Sequence, residues 1–392
     1  MSEAKRPSKR IAIFLDGTWN WSANNTNVWR MKSLCTNADD HGVPQLTYYN
    51  IGVDGIIGGL VGRGLRRNII EAYKWLVEQY EPDADVFIFG FSRGAFTARS
   101  LAGFIAKCGL LKVGAPLGIE QLYDRYKRTT EDNTIWDLCE MYRDGKLDLD
   151  TCHLEDRWLF RYSQPVNIKM IGVWDTVGKY GVPFGEIRNF SSKSFTFIDT
   201  GLRQSLKHCF HAIAIDEHRK AFPPTPWTIR KPHDPNQKMA DMRLIETCEQ
   251  RWFAGAHGNI GGGYANDVLA QLPFRWLLLK ATRLGLRFRN EAELDGKLVN
   301  ASVRDSFKEF VWGAYFLILE RAFREIDAPP VVDDHGTHIA VNETIDQSVF
   351  EYWRTGSYKS RTIERWAKKR GISPAEIKTS VRADDPNVVV SD

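Results

Sequence analysis

Residues 85–97, with the sequence DVFIFGFSRGAFT, carry the pattern that decides the fold. Residues 86–89 are four consecutive apolar residues behind an acidic turn, which is typical of a strand buried on both faces of a parallel sheet. A Gly-x-Ser-x-Gly motif follows at 90–94, and from residue 95 the apolar residues recur at helical spacing. A buried strand, a sharp turn with Ser92 at its apex and a helix together predict a nucleophile elbow.

The two glycines of this motif have a physical reason. The turn packs the strand end against the helix start, so a side chain at Gly90 or Gly94 would collide with its neighbours. Ser92 is expected to be held in a strained conformation that pushes its hydroxyl out of the sheet, so that the N-terminus of the helix faces the group that Ser92 attacks. In a chain with 31 glycines the same motif also occurs as an ordinary turn, and the flanking strand and helix favour the elbow.

Composition excludes several classes of protein. The chain has 392 residues, 43% of them hydrophobic, and its net charge of +4 does not indicate nucleic-acid binding. The six cysteines form no C-x-x-C pair, so neither a zinc site nor a disulfide framework is indicated, and we expect no metal and no cofactor. The polar N-terminus lacks the apolar segment of a secretory signal. We therefore expect a cytoplasmic protein, with export by a signal-independent machinery left open.

Strand and helix patterns alternate along much of the chain, which predicts an α/β fold with a mostly parallel sheet and helices on both faces. The glycine-rich residues 52–64 predict a loop before a helix at 68–80, and they match neither a dinucleotide fingerprint nor a P-loop. Besides 86–89, the strand patterns lie at residues 11–15, 46–49, 166–174, 209–215 and 251–256.

Two segments depart from this alternation. Residues 109–165 contain helical, aromatic-rich patterns and are predicted to form a cap inserted over the site. After residue 290 the patterns are helical again, with one helix at 306–326 that begins with a capping box. We therefore predict a catalytic domain at 1–290 and a helical C-terminal extension at 291–392 that packs on the core.

Ser92 needs partners to act as a nucleophile. A serine hydroxyl requires a base within hydrogen-bond reach, and the base requires an orienting acid. In α/β-hydrolases these groups follow one another as serine, acid and histidine. In this chain Ser92, then Asp175 or Asp216, then His257 each follow a strand pattern. From the residues alone, the choice between the two acids stays open.

His257 is the best candidate for the base among nine histidines. It ends a strand pattern and precedes a run of three glycines, which allows a closely packed loop. His211 and His218 are the alternatives.

The oxyanion formed when Ser92 attacks an ester needs two backbone donors. One is expected from Arg93, the residue after the nucleophile, and the other from the loop after the first strand. Gly17 and Thr18 fit that second position, next to Asp16, which is predicted to hold the same loop.

Five motifs follow one another along the chain: FLDGTWN at 14–20, TNV at 26–28, GFSRGAFTAR at 90–99, GVWDTVG at 172–178, and WFAGAH at 252–257 with GGGY at 261–264. In this order they resemble a family of hydrolases, many of them uncharacterised, that includes the type VI secretion phospholipase effectors. The resemblance implies an α/β-hydrolase core, a catalytic triad of Ser92, Asp175 and His257, and hydrolysis of an ester, with phospholipids as substrates of some members. It favours Asp175 over Asp216.

One position departs from that family. Between the histidine and the glycine run, the family has Ser-Asp-Val, whereas this chain has Gly258-Asn259-Ile260. The change to Asn259 removes a charge near the base and puts in doubt any role of that carboxylate in holding the loop.

Three functions compete at this stage. The first is a serine hydrolase of lipid-like esters, including phospholipids, with peripheral contact to a membrane. The second is an esterase or thioesterase of small soluble substrates. The third is a non-catalytic binding protein on a hydrolase scaffold, to which Asn259 gives some weight. The sequence does not indicate an oligomeric state.

Overall fold

The computed structural model describes residues 6–17, 25–52, 58–128, 132–177, 205–234, 242–264, 267–289, 298–306, 321–333 and 336–391.

The strands are numbered in chain order. They are β1 (Arg10–Leu15), β2 (Gln45–Asn50), β3 (Asp85–Phe91), β4 (Leu110–Leu111), β5 (Ser163–Gln164), β6 (Ile168–Trp174), β7 (Leu206–Ala214), β8 (Thr228–Lys231), β9 (Cys248–Phe253), β10 (Val331–Asp333), β11 (Gly336–Ala340), β12 (Glu343–Ile345) and β13 (Val381–Arg382).

The α-helices are numbered in the same way. They are α1 (Asn27–Leu34), α2 (Gly58–Gln79), α3 (Arg93–Cys108), α4 (Ile119–Lys127), α5 (Ile135–Arg143), α6 (Leu154–Tyr162), α7 (His257–Gly261), α8 (Val268–Arg283), α9 (Gln347–Arg354) and α10 (Arg361–Arg370).

Within the described ranges, the main sheet has eight strands in the order β13-β12-β9-β7-β6-β3-β1-β2. All neighbouring pairs from β2 to β12 are parallel, and β13 joins β12 antiparallel at the edge. The prediction of an α/β fold with a mostly parallel sheet is therefore confirmed. The second strand, β2, lies on one side of β1, and β3 lies on its other side. The strands that follow, β6, β7 and β9, are added in turn beyond β3. The carboxyl ends of β1 and β3 thus form the switch point at which such sheets bind ligands.

Side chains of β3 alternate between two apolar cores on opposite faces of the sheet. Val86 and Ile88 pack in the core that contains α2 and α3, and Phe87 and Phe89 pack in the core that contains α1 and α8. Each such fully buried side chain contributes about 1.5–3 kcal/mol. The apolar run 86–89 is therefore buried on both faces, as its sequence predicts.

The helices of residues 109–165 pack mainly on the far part of α3. Tyr126 lies against Gly103, and the rings of Tyr123 and Tyr126 pack on Phe104. Gly103 is about 16 Å along the helix axis from Ser92. Among the described residues, these contacts place α4 beside the sheet rather than over Ser92. The role of this segment as a cap stays a prediction that these contacts do not favour.

The C-terminal part combines helices and strands, so the prediction of a wholly helical extension is wrong for the described residues. β12 pairs in parallel with β9, and α9 and α10 pack against Trp252 and Ile345 in a third apolar core. A strand of three residues is too short to show a period in the sequence, and its pairing depends on a distant partner. The domain boundary near residue 290 stays a prediction.

Two further helix predictions need correction. α2 begins at Gly58, inside the glycine-rich segment predicted to be a loop, so the weak helix propensity of glycine does not prevent a helix there. Of the helix predicted at 306–326, residues 307–320 lie outside the described residues. At its end Arg321 forms a bridge with Arg219 and Ala322 bonds to His218, so residues 321–326 are not helical. Among the described helices, none is both long and apolar enough to cross a lipid bilayer.

Candidate active site

Ser92 lies at the turn between β3 and α3. Its backbone has φ 58° and ψ −122°, in the left-handed region that non-glycine residues rarely adopt. A Cβ added at Gly94 would lie 2.1 Å from Leu15 O, and one at Gly90 would lie 2.4 Å from Gly94 O. The turn can therefore pack against β1 and against the start of α3 only with glycine at both positions.

Ser92 lies in a row of hydrogen-bonded side chains with His257 and Asp175. The Ser92 Oγ is 2.8 Å from His257 Nε2, and His257 Nδ1 is 2.5 Å from Asp175 Oδ2. With the ring proton on Nδ1, the imidazole donates to the carboxylate and accepts from the hydroxyl. Each of the three residues follows a strand of the sheet, β3, β6 or β9, which brings them to the same edge.

Asp175 is fully buried and is bound on both of its oxygens. Arg324 Nη1 donates to Oδ1 at 2.5 Å and Nη2 donates to Oδ2 at 3.0 Å, while the Ala214 amide donates to Oδ1 at 2.9 Å. Burial by itself would raise the pKa of Asp175, but the Arg324 charge and the His257 hydrogen bond hold this pKa well below its usual range. Asp175 is therefore an ionised acceptor for His257.

Sequence reasoning missed Arg324. It lies 149 positions after Asp175, outside all five motifs, and carries no local signal. Only the folded chain brings it to the site.

Asp216, the other candidate acid, binds groups other than the His257 ring. Tyr358 Oη donates to its Oδ2 at 2.7 Å, Ser360 Oγ to its Oδ1 at 2.6 Å, and the Gly255 amide to Oδ2 at 2.9 Å. Burial raises the pKa of Asp216, although these hydrogen bonds oppose the shift. Asp216 joins the segment before His257 to the C-terminal part of the chain, and Asp175 is the acid beside the ring.

Glu217 contacts the backbone of His257 and was not among the predicted site residues. The His257 amide donates to Glu217 Oε2 at 3.3 Å, and Ser306 Oγ donates to the same oxygen at 2.7 Å. Burial would raise the pKa of Glu217, but its ion pair with Arg219 holds the pKa at about 2. A second fixed negative charge therefore lies next to His257.

The alternative bases have structural partners. His211 Nε2 accepts a hydrogen bond from the Thr176 amide at 3.0 Å, and burial lowers the pKa of His211 to about 3, so the ring is neutral. His218 Nδ1 lies 3.3 Å from Ala322 O. Of the three candidate histidines, His257 is the one that reaches Ser92.

The structure gives a different outcome for each of the three predicted oxyanion donors. Arg93 is the first residue of α3, where amide groups have no partner within the helix. The Gly17 amide donates to Asp16 Oδ1 at 2.8 Å, so this donor is already engaged, contrary to its predicted role. Thr18 lies outside the described residues. Asp16 Oδ2 accepts from Thr26 Oγ1 at 2.5 Å and from Tyr49 Oη at 2.9 Å, and so holds the loop after β1.

Asn259 holds the loop after His257. Its Oδ1 accepts from the Ala256 and Arg304 amides, both at 3.0 Å, and its Nδ2 donates to Asp267 Oδ2 at 3.1 Å. Burial raises the pKa of Asp267 to about 6. An aspartate could accept these bonds but could not donate to Asp267, so the amide suits this chain.

Aromatic rings confine the imidazole of His257. The rings of Phe91 and Phe222 lie 4.7 and 5.4 Å from it. A Cβ at Gly261 would lie 2.0 Å from the Phe91 ring, so the glycine run allows this packing. Within the described ranges, no group of three or more His, Cys, Asp or Glu side chains is placed to hold a metal ion.

The sheet order, with Ser92 at its switch point, defines an α/β-hydrolase-like fold. Residues 9–280 match the family model described as "T6SS, Phospholipase effector Tle1-like, catalytic domain". This match covers more than half of the chain, so the protein belongs to the Tle1-like family, and the resemblance found in the motifs is confirmed.

Individual relatives are more distant. The uncharacterized protein YEL023C of Saccharomyces cerevisiae is 26% identical over 239 residues, which cover 55% of this chain and 32% of that protein. The crystal structure of an uncharacterized protein from Pseudomonas aeruginosa has a TM-score of 0.44 and 17% identity, over 71% of this chain and 46% of the other. The structure of the Tle1 effector bound to the VgrG spike from the Type 6 secretion system has a TM-score of 0.33 and 20% identity, over 67% and 52%. The chain spans about half or less of the length of these relatives.

Proposed function

We propose that this protein hydrolyses carboxylic esters of lipids, with Ser92 as nucleophile, His257 as general base and Asp175 as the orienting acid. The observation that carries the proposal is the continuous row of hydrogen bonds, 2.8 Å from Ser92 Oγ to His257 Nε2 and 2.5 Å from His257 Nδ1 to Asp175 Oδ2. This geometry meets the requirement that nucleophile, base and acid lie within hydrogen-bond reach of one another.

The reaction proceeds in two halves. Ser92 Oγ attacks the ester carbonyl as its proton passes to His257 Nε2, and the oxyanion that forms accepts a hydrogen bond from the Arg93 amide. His257 then protonates the departing alcohol, and an acyl-Ser92 ester remains. A water molecule, deprotonated by His257, attacks this ester and releases the fatty acid, after which the proton returns to Ser92.

Asp175 supports both halves through its charge. An ionised Asp175 stabilises the positive imidazole that forms in each transition state. Its contacts to Arg324 keep it ionised in spite of complete burial.

A lipid substrate is favoured by membership of a family whose model is named for phospholipase effectors. A preference for small soluble esters or thioesters is the alternative. Acyl-chain length separates the two, because a lipase-type site gains binding energy from every buried methylene, about 0.8 kcal/mol each.

The test uses labelling by a fluorophosphonate probe and hydrolysis of p-nitrophenyl esters. We expect wild type to be labelled and Ser92→Ala to be unlabelled, with kcat lower by about a thousandfold or more. Ser100→Ala is the matched control, because Ser100 lies on the same helix, is buried, and donates only to the Phe96 carbonyl at 2.7 Å. It should keep labelling and activity.

A panel of butyrate, octanoate and palmitate esters, followed by phosphatidylcholine vesicles, then defines the substrate class. Preference for palmitate and release of fatty acid from vesicles supports a lipid ester hydrolase. Preference for butyrate with no action on vesicles would show a small-substrate esterase in place of the proposed lipid ester hydrolase. A folded wild type that is neither labelled nor active on any ester would refute the proposed hydrolase activity. The remaining interpretation would then be a non-catalytic binding protein on a hydrolase scaffold.

A further inference from the structure

Residues outside the family match contact the acidic side chains around His257. Asp175 is bound by Arg324, and Glu217 is bound by Ser306. Asp216 is bound by Tyr358 and by Ser360. All of these partners follow residue 280, where the match to the family model ends. The C-terminal part of the chain is thus joined directly to the site.

Arg324 makes the most extensive of these contacts. Besides both oxygens of Asp175, its Nη1 donates to Ala214 O and its Nη2 donates to Phe222 O, each at 2.8 Å. The side chain is only 4% exposed. The two carbonyls fix the plane of the guanidinium, and the guanidinium fixes the plane of the carboxylate that faces His257.

Phe222 links the same guanidinium to the other side of the ring. Its carbonyl accepts from Arg324, and its side chain packs edge-on against His257. Arg324 therefore holds both the acid and one of the aromatic walls of the imidazole.

We propose that Arg324 is a positioning residue for the hydrolytic site, which orients Asp175 toward His257 and offsets part of the negative charge that faces the imidazole. This inference rests on the proposed function. Arg324 touches neither Ser92 nor the substrate in it, and acts through Asp175.

The charge effect follows from the groups that face His257. Asp175 and Glu217 favour a positive imidazole, whereas Arg324 opposes it, and Arg219 neutralises part of Glu217. Removing the Arg324 charge leaves the carboxylates uncompensated, so a proton on the ring becomes more favourable. The acid limb of the pH–activity profile then moves to higher pH.

Two substitutions separate orientation from charge. Arg324→Lys keeps the charge but cannot bind both oxygens in one plane, so we expect kcat to fall about 10-fold to 100-fold with an unchanged KM and acid limb. Arg324→Met removes the charge as well, and we expect its acid limb to move up by about one pH unit.

Arg125 supplies the control for loss of a buried arginine. It is also 4% exposed and binds two carboxylates, Glu155 and Asp156, but lies in α4. Arg125→Lys and Arg125→Met should lower Tm as much as the Arg324 variants while leaving kcat and the pH profile as in wild type.

A double variant tests whether Arg324 acts through Asp175. In an Asp175→Asn background, Arg324→Met should lower kcat much less than it does with Asp175 present, because the carboxylate it orients is already absent and only its contact to Phe222 O is left to lose. This double variant also removes both members of the buried ion pair together, which is better tolerated than removing one.

The outcomes distinguish this inference from the proposed function. If wild type is labelled and Ser92→Ala is inactive, but Arg324→Lys keeps the wild-type kcat, the inference is overturned and the function stands. The inference is also overturned if Arg324→Met lowers kcat equally with and without Asp175. If wild type itself is neither labelled nor active, both the inference and the function fail. Where Arg324→Met does not fold, the lysine variant and the double variant decide.

Discussion

Asp175 and Asp216 both follow a strand near the site, and their amide variants should behave in opposite ways. Asp175→Asn removes the charge beside His257. Asp216→Asn removes a charge that binds Tyr358 and Ser360 instead. We expect the first to lose activity and the second to lose mainly stability.

The size of the first effect can be worked out from the contact. With His257 Nδ1 at 2.5 Å from Asp175 Oδ2, the centres of the two charges are about 4 Å apart, and at an effective dielectric constant of about 20 they attract by about 4 kcal/mol. That equals about a thousandfold in kcat. Arg324 already neutralises part of the carboxylate, so we expect a loss of about a hundredfold to a thousandfold.

The second effect is one of lost hydrogen bonds. An asparagine at 216 keeps one acceptor oxygen for the three donors, Tyr358, Ser360 and the Gly255 amide. A buried donor left unsatisfied costs about 1–3 kcal/mol, so Asp216→Asn should unfold at lower urea concentration. Its kcat should stay within about tenfold of wild type, because the row of hydrogen bonds from Ser92 through His257 to Asp175 is intact.

The assay is hydrolysis of p-nitrophenyl butyrate, combined with urea unfolding of each variant. Asp175→Asn also leaves Arg324 without its carboxylate, so its unfolding curve shows whether the folded state is populated in the assay. If Asp216→Asn is folded yet loses activity a thousandfold while Asp175→Asn keeps it, the choice of Asp175 as the acid is refuted.

Three further changes test other parts of the structure. Gly94→Ala places a Cβ 2.1 Å from Leu15 O, and we expect a loss of stability of about 3 kcal/mol and little activity; a soluble, fully active variant would contradict the close packing of the turn. Burial raises the pKa of Glu343 from 4.5 to about 7. The folding stability of wild type therefore falls as the pH rises through this window. Glu343→Gln should be more stable than wild type by about 2 kcal/mol at pH 8 but not at pH 4. Thermal unfolding at both pH values checks this, and an equal difference at the two would count against it. Asn259→Asp brings a second carboxylate to Asp267, so Tm should drop at pH 8 and recover toward pH 5; a Tm independent of pH would show that the amide donor does not matter.

Local patterns were enough to predict the centre of the fold. The apolar run 86–89 predicts a buried strand because every side chain in it must leave water, and β3 contributes to both cores. The strands at the other apolar runs, and the α3 helix after Ser92, follow from the same kind of short-range signal. Since parallel strands end at one edge, the sequence order of Ser92, an acid and His257 also predicted that these groups meet.

Local patterns were misleading where glycine or short strands were involved. The glycines at the start of α2 indicate a loop by propensity, but the helix continues through them. The three residues of β12 show no period, and they become a strand because β9 offers its free edge.

The sequence by itself determined the α/β architecture, the strained turn around Ser92 and the set of candidate partners, because each depends on residues close together in the chain. Local patterns left Asp175 and Asp216 as open alternatives, and only the family resemblance favoured Asp175. Tertiary structure brings Asp175 to His257 and Asp216 to Tyr358, because the two carboxylates follow neighbouring strands and bind different partners. It also decided the roles of Glu217 and Arg324. Their contacts join positions far apart in the chain, and no local spacing of residues records such a contact.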